Sequence, residues 1–127
     1  MPDAVPLWIC PPSITCRAAA AIVGKTCVVV SGDMTGGNPT VATAGAGVGV
    51  LGVAAQDSES GRDVLVHAGV GAIVPVTAGA AIAAGAVVES NATGQVITRA
   101  AGVPVGRALK AAAAGAEVFV RLSGETV

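Results

Sequence analysis

Residues 52–65, GVAAQDSESGRDVL, continue as Val66-His67-Ala68 and align without a gap on residues 106–119, GRALKAAAAGAEVF, which continue as Val120-Arg121-Leu122. Gly52 falls on Gly106, Gly61 on Gly115, Asp63 on Glu117, Val64 on Val118 and Val66 on Val120. Upstream, residues 20–28 (AAIVGKTCV) echo residues 80–88 (AAIAAGAVV), with the glycine displaced by one place. A duplication of this kind makes each copy one supersecondary unit. Both copies follow one plan: an Ala-rich turn, a Val strand, a polar loop, a second strand, a Gly-bounded loop and a final strand.

Period-two alternation and β-branched content then assign the strands. They fall near Ile14–Arg17, Cys27–Ser31, Pro39–Thr43, Val48–Ala54, Asp63–Ala68, Ile73–Thr77, Ala86–Ser90, Gln95–Arg99, Pro104–Leu109 and Glu117–Leu122. In the last strand Val118, Val120 and Leu122 share one face, and Glu117, Phe119 and Arg121 the other. Its partner in the first copy sets Val64 and Val66 against Asp63, Leu65 and His67. Ser90-Asn91-Ala92-Thr93-Gly94 has the chemistry of a hairpin loop. Ala111–Ala114 has helix propensity, but it aligns with Asp57-Ser58-Glu59-Ser60 and reads as a loop or a single turn. The fold class expected is all-β: a small compact barrel or sandwich with internal duplication, short or no helices and an extended N-terminal arm. The arm covers 1–12, and one β domain covers 13–127 with related halves at approximately 18–69 and 78–123.

Apolar residues make up 53% of the 127, yet there is one Trp, one Phe and no Tyr. Burying a Leu or Phe contributes roughly 1.5–3 kcal/mol and Ala much less, so a core of Ala and Val is thin. A thin core predicts that packing against other subunits supplies part of the stability. The net charge of −1 is spread along the chain, without the basic stripe that phosphate neutralisation needs, which argues against nucleic acid as a partner. No apolar stretch follows the acidic start Met1-Pro2-Asp3 in the manner of a signal peptide. Between Val64 and Val88 the sole ionisable side chain is His67, a length that could span a bilayer. Gly69, Gly71, Pro75, Gly79 and Gly85 break it into short strands instead, so no membrane partner is expected.

Several motifs tempt. Ala19-x-x-x-x-Gly24-Lys25-Thr26 approximates a phosphate loop, but a strand, Cys27–Val30, follows where a helix is required. Gly47-x-Gly49-x-x-Gly52 has the letters of a dinucleotide fingerprint without a βαβ context. Cys10, Cys16 and Cys27 lack the paired spacing of a zinc site and read as reduced, buried thiols, a Cys10–Cys16 bridge that ties down the arm being the alternative. His67 has no nucleophile beside it in sequence, and Lys25 and Lys110 lack the tight-turn context of a carrier lysine. Asn91-Ala92-Thr93 is a glycosylation sequon without a secretion signal. No catalytic, metal or cofactor residue emerges, and no enzyme is expected.

The arm differs from the rest. Pro2, Pro6, Pro11 and Pro12 forbid a helix, and Val5, Leu7, Trp8 and Ile9 concentrate bulky apolar side chains there. Two readings stand: Trp8 plugs its own barrel, or the arm reaches a partner.

Three stretches of the first copy, AAIVGKTCVVVS, VGVLGVAAQD and SGRDVLV, together with AIAAGAVVE and VGRALKAAAAGAEVFVRL of the second, resemble the capsid-decoration (cement) proteins of tailed bacteriophages over roughly Ser13 to Leu122. The resemblance implies a non-enzymatic virion protein, made in the host bacterial cytoplasm and placed on the capsid exterior. It further implies a homotrimer that bridges major capsid proteins and stabilises the shell, with no cofactor. The candidate contacts with subunits or partners are Val5, Leu7, Trp8 and Ile9 of the arm, with Leu65, Phe119 and Arg121 of the domain; the other reading of Leu65 and Phe119 is that they pack under a loop. Another virion component of tail or fibre, or a β-barrel ligand-binding module, are the alternatives.

Overall fold

The structure, a computed structural model, describes residues 13–123, and the strand assignments are realised over that range without a helix. The strands are β1 (Ser13–Ala18), β2 (Cys27–Thr35), β3 (Asn38–Thr43), β4 (Gly52–Ala54) and β5 (Asp63–His67), then β6 (Ile73–Thr77), β7 (Val87–Ser90), β8 (Val96–Thr98), β9 (Gly106–Ala108) and β10 (Glu117–Leu122). The residues of the N-terminal arm, Val5, Leu7, Trp8 and Ile9 among them, and Cys10 lie outside the described range.

The first five strands close into a barrel in the order β1-β3-β2-β4-β5, and the second five form a sheet in the order β6-β10-β9-β7-β8. Pair by pair the second set repeats the first. The antiparallel pairs β1·β5, β4·β5, β2·β4 and β2·β3 return as β6·β10, β9·β10, β7·β9 and β7·β8. The parallel contact that closes the first barrel, Arg17 on Thr40 and Ala18 on Val41, shrinks in the second sheet to one bridge between its edges, Ala78 on Val96. The second sheet is thus a barrel only partly closed, and is called the second barrel below. Loop bridges correspond as well: Ile22 with Ser58, Ile82 with Ala112. That bridge is why the Ala111–Ala114 run stays extended: one helical turn could not form the antiparallel contact that its counterpart forms.

Two differences from the expected strands have local causes. β2 runs to Thr35 rather than Ser31, because Gly36 and Gly37, both at positive φ (59° and 86°), make a two-residue turn into β3. The Gly-Asp-Met extension is exposed on both faces, so it carries no alternation to read. β4 is only three residues long and β9 matches it. Each begins at a glycine on which a Cβ would lie 2.2 Å (Gly52) or 2.1 Å (Gly106) from the carbonyl oxygen of His67 or Arg121. Strand β4 can therefore press on β5, and β9 on β10, only with glycine at that place.

The buried side chains alternate as a barrel interior requires. Ile14, Cys16, Ala18, Ile22, Val28, Val41, Ala54, Val64 and Val66 pack inside the first barrel. The second core, around Val76, Val88, Val96, Val118 and Val120, also takes in Cys27, Ala44 and Val53 from the first copy. Among the described residues no fully buried side chain exceeds Val in size. Backbone bonds join the copies: Cys27 N to Gly94 O (2.7 Å), Gly47 N to Ser90 O (2.9 Å), Thr77 N to Lys25 O (2.9 Å) and Val103 N to Gly47 O (3.0 Å). Ser90 Oγ adds a bond to Gly45 O (2.6 Å).

Candidate functional site

The phosphate-loop letters serve a turn. Lys25 sits at φ 63°, where the second copy places Gly85 at φ 83°, and each donates its backbone N–H to the strand opposite, at Ala54 O and Ala108 O. A Cβ on Gly24 would come within 3.0 Å of the Gln56 backbone, so this glycine serves a close approach. The Lys25 ammonium bonds Glu117 Oε2 at 2.6 Å and ties the two copies together. That bond holds the Glu117 carboxyl below its usual range, against a smaller opposing effect of desolvation. Cys16 and Cys27 are free and buried, and burial pushes their thiols up to about 11 and about 12. Both act as small hydrophobes. Asn91 Oδ1 accepts from Thr93 N and Gln95 N, capping the β7–β8 hairpin as its sequence predicts.

Among the described residues no group of three His, Cys, Asp or Glu could hold a metal ion, and no helix is long and apolar enough to cross a membrane. A surface hollow of about 650 Å³ on the first barrel is lined by charges of both signs. Three of them are engaged internally: Arg17 Nε on Asp63 Oδ1 at 3.1 Å, and Gly24 N on Asp57 Oδ1 at 2.7 Å.

What remains is the outward face of β6, β10 and β9. Phe119 lies opposite Pro75 across β6·β10, and on its other side Leu109 N donates to Phe119 O at 2.8 Å. Beside that row runs another: Ile73 opposite Arg121, Arg121 opposite Arg107, Arg107 opposite Val87. Ile73 is 58% exposed, Leu109 48% and Phe119 37%. Cross-strand neighbours on one face stand about 5 Å apart and diagonal ones about 7–8 Å, so Pro75, Phe119 and Leu109 form an apolar row with Ile73 diagonal to Phe119 at the end of the basic row. The Lys110 ammonium lies 5.2 Å from the centre of the Phe119 ring, a cation–π contact.

The structure thus brings Phe119 and Arg121 together and leaves Leu65 (37% exposed) on the equivalent strand of the first barrel. Sequence reasoning missed Ile73, Leu109 and Arg107. Their signal was available in the repeat, since Arg107 and Arg121 sit where the first copy has Val53 and His67, but the pairing of β9 with β10 had to be known to use it.

A duplicated small-residue β fold with an outward face of apolar and basic side chains is the class this geometry defines. Consistent with it, residues 12–123 match the phage cement protein family, and the chain belongs to that family. It is a phage structural protein with a capsid-associated role in the virion. Among curated proteins none matches the sequence. The fold is shared with a solved structure described as the crystal structure of the head fiber gp8.5 N base in bacteriophage phi29. That similarity has a TM-score of 0.73 at 22% identity, covering 91% of this chain and 97% of the other.

Proposed function

We propose that the protein decorates the exterior of an assembled phage head as a trimer and stabilises the lattice of the major capsid protein. The observation that carries this is the family match over residues 12–123, which takes in every described residue. The physics supports it. A ligand that binds only the assembled lattice stabilises that state by about 2.7 kcal/mol per site at a hundred times its Kd. Three linked subunits multiply weak contacts through effective concentration. A core whose fully buried side chains, among the described residues, are no larger than Val fits a subunit that draws stability from neighbours. In this reading Leu65, Phe119 and Arg121 contribute subunit or capsid contacts, and Val5, Leu7, Trp8 and Ile9 of the arm supply a further anchor.

Mixing the purified protein with undecorated, expanded capsids tests the reading: stoichiometric co-sedimentation is expected, and no binding at micromolar concentration refutes it. Light scattering checks the trimer, and a monomer both free and on the shell overturns that part. The likeness to the head fiber base favours a second reading, in which this domain is the capsid-proximal base of a projection. Electron microscopy of native virions separates the two, since a compact knob supports decoration and a knob bearing a fibre supports the base.

A further inference from the structure

The duplication lets one face be compared with its own copy. In the first barrel the outward residues of β2 and β4, Cys27 (0% exposed) and Val53 (1%), are covered because the second barrel packs on them. Their equivalents in the second barrel, Val87 and Arg107, pair in the same register but stay open, and a hollow of about 460 Å³ lies over them. Arg99, Arg107 and Arg121 line this hollow together with the apolar Val87, Pro104 and Leu109, and no carboxylate lines it among the described residues.

Two features set these arginines apart from ordinary solvated charge. Arg107 and Arg121 stand directly opposite each other on adjacent antiparallel strands, an arrangement in which like charges repel and weaken the pair. The first copy has Val53 opposite His67 there, so the fold itself does not demand two cations. Two of the guanidiniums are also held in place: Arg99 Nε donates to Gly102 O and Arg107 Nη1 to Gly85 O, each at 2.7 Å. Each retains further N–H donors, arranged for two-point contact with a carboxylate.

We infer that this hollow is a docking site for carboxylate side chains on an acidic protein surface, with the neighbouring Ile73–Phe119–Leu109 strip as its apolar border. The identification of that surface with the capsid shell rests on the proposed function; the carboxylate preference does not. A second copy docked head-to-tail fits poorly. The strip by which the second barrel meets the first includes Thr77, which pairs with Glu117, and the equivalent place on a first barrel is Arg17, paired with Asp63. A neighbour docked that way would bring a cation whose carboxylate partner, Asp63, is already engaged by it at 3.1 Å.

The capsid arm of the test compares the full chain with Arg107→Glu/Arg121→Glu, with Arg107→Lys/Arg121→Lys, and with Arg62→Glu, an exposed reversal on the other barrel. The expected result is a loss of at least about tenfold in capsid affinity for the double reversal, with little change for Arg62→Glu and an intermediate loss for the lysine pair, which keeps charge but not the fork. Equal losses for Arg62→Glu and the double reversal overturn the inference. If the unmodified chain does not bind capsids, the proposed function falls, and the second arm still decides the site. There a hexaglutamate peptide is titrated into 15N-labelled full chain. Shifts concentrated at Arg99, Arg107 and Arg121 and absent in the double reversal are expected. Shifts spread over all basic residues, or none, overturn it. So does a 12-base-pair DNA duplex that produces the pattern at 0.15 M salt where hexaglutamate does not. Peptide binding that occurs only after removal of residues 124–127 would assign the arginines to the chain's own C-terminus and equally overturn it.

Discussion

The glycines that open β4 and β9 give the sharpest test of the duplicated architecture. In Gly52→Ala the new Cβ would lie 2.2 Å from His67 O and 2.9 Å from Val66 Cγ1. Ordinary contact begins at 3.4 Å, so the β4 backbone must retreat from β5 by about 1.2 Å. The strand is three residues long and is tied to β5 at Val53–His67 and Ala54–Val66. A shift of that size forfeits about two ladder hydrogen bonds, at about 1 kcal/mol each net. Overpacking adds about 1–3 kcal/mol. The expected loss is therefore about 3–5 kcal/mol, a large part of a typical 5–15 kcal/mol total. At about 4–6 °C per kcal/mol, Tm falls by roughly 12–30 °C. Gly106→Ala meets Arg121 O at 2.1 Å and should lose as much. The control is Gly115→Ala, at φ 83° with nothing within 4 Å of the new Cβ; it carries only the left-handed strain of about 1–2 kcal/mol. Thermal unfolding followed by circular dichroism at matched protein concentration reads all three. A Gly52→Ala protein melting within about 5 °C of the unmodified chain, or no worse than Gly115→Ala, would refute the close approach of these strands.

Three further outcomes are expected. Native protein treated with iodoacetamide at pH 8 should leave Cys16 and Cys27 unlabelled until it is unfolded, because both are buried and their thiols titrate near 11 and 12; peptide mass spectrometry reads each site. Glu117→Gln should destabilise slightly at pH 7. Because Glu117 has a folded pKa below its unfolded value, its contribution is present above the ordinary glutamate range near 4.3 and is lost as pH falls through the depressed value. The gap in Tm between Glu117→Gln and the unmodified chain should therefore close below about pH 4, and a gap that persists in acid contradicts the Lys25 bond. Phe119→Asp and Leu65→Asp, each at a site 37% exposed, should keep the fold while weakening trimer or capsid association by about tenfold or more; unchanged association in both removes them as contacts.

Much of the fold is written locally. Val118, Val120 and Leu122 are buried and Phe119 and Arg121 exposed, as alternation alone requires. Glycine and Asn91 mark the turns, and the repeat turned an Ala run with helix propensity into the loop that Ala112 occupies. The surface was less legible for a physical reason. Val53 and Arg107 hold equivalent outward places, and alternation exposes both; Val53 is buried because a whole second barrel lies over it, a contact between residues far apart in sequence. The same distance hides the Arg107–Arg121 pair, which exists only in the register of β9 against β10. Ile73 and Leu109 became contact candidates only once both were seen to flank Phe119.

The duplication also bears on what can cover the outward face of the second unit. Contact between the copies is heterologous: the β2 and β4 face of one barrel receives a different face of the next. Contacts of that type propagate into rings or filaments when the receiving face recurs on each unit. Here the recurring face is altered where propagation would need it apolar. Val53 becomes Arg107, and Arg99 joins it at the rim. A second copy docked in that way would have to desolvate these guanidiniums against Asp63, a carboxylate already engaged by Arg17, which is unfavourable. The charge on this face therefore selects what can cover it. A fitting partner brings free carboxylates in the geometry of two opposed arginines.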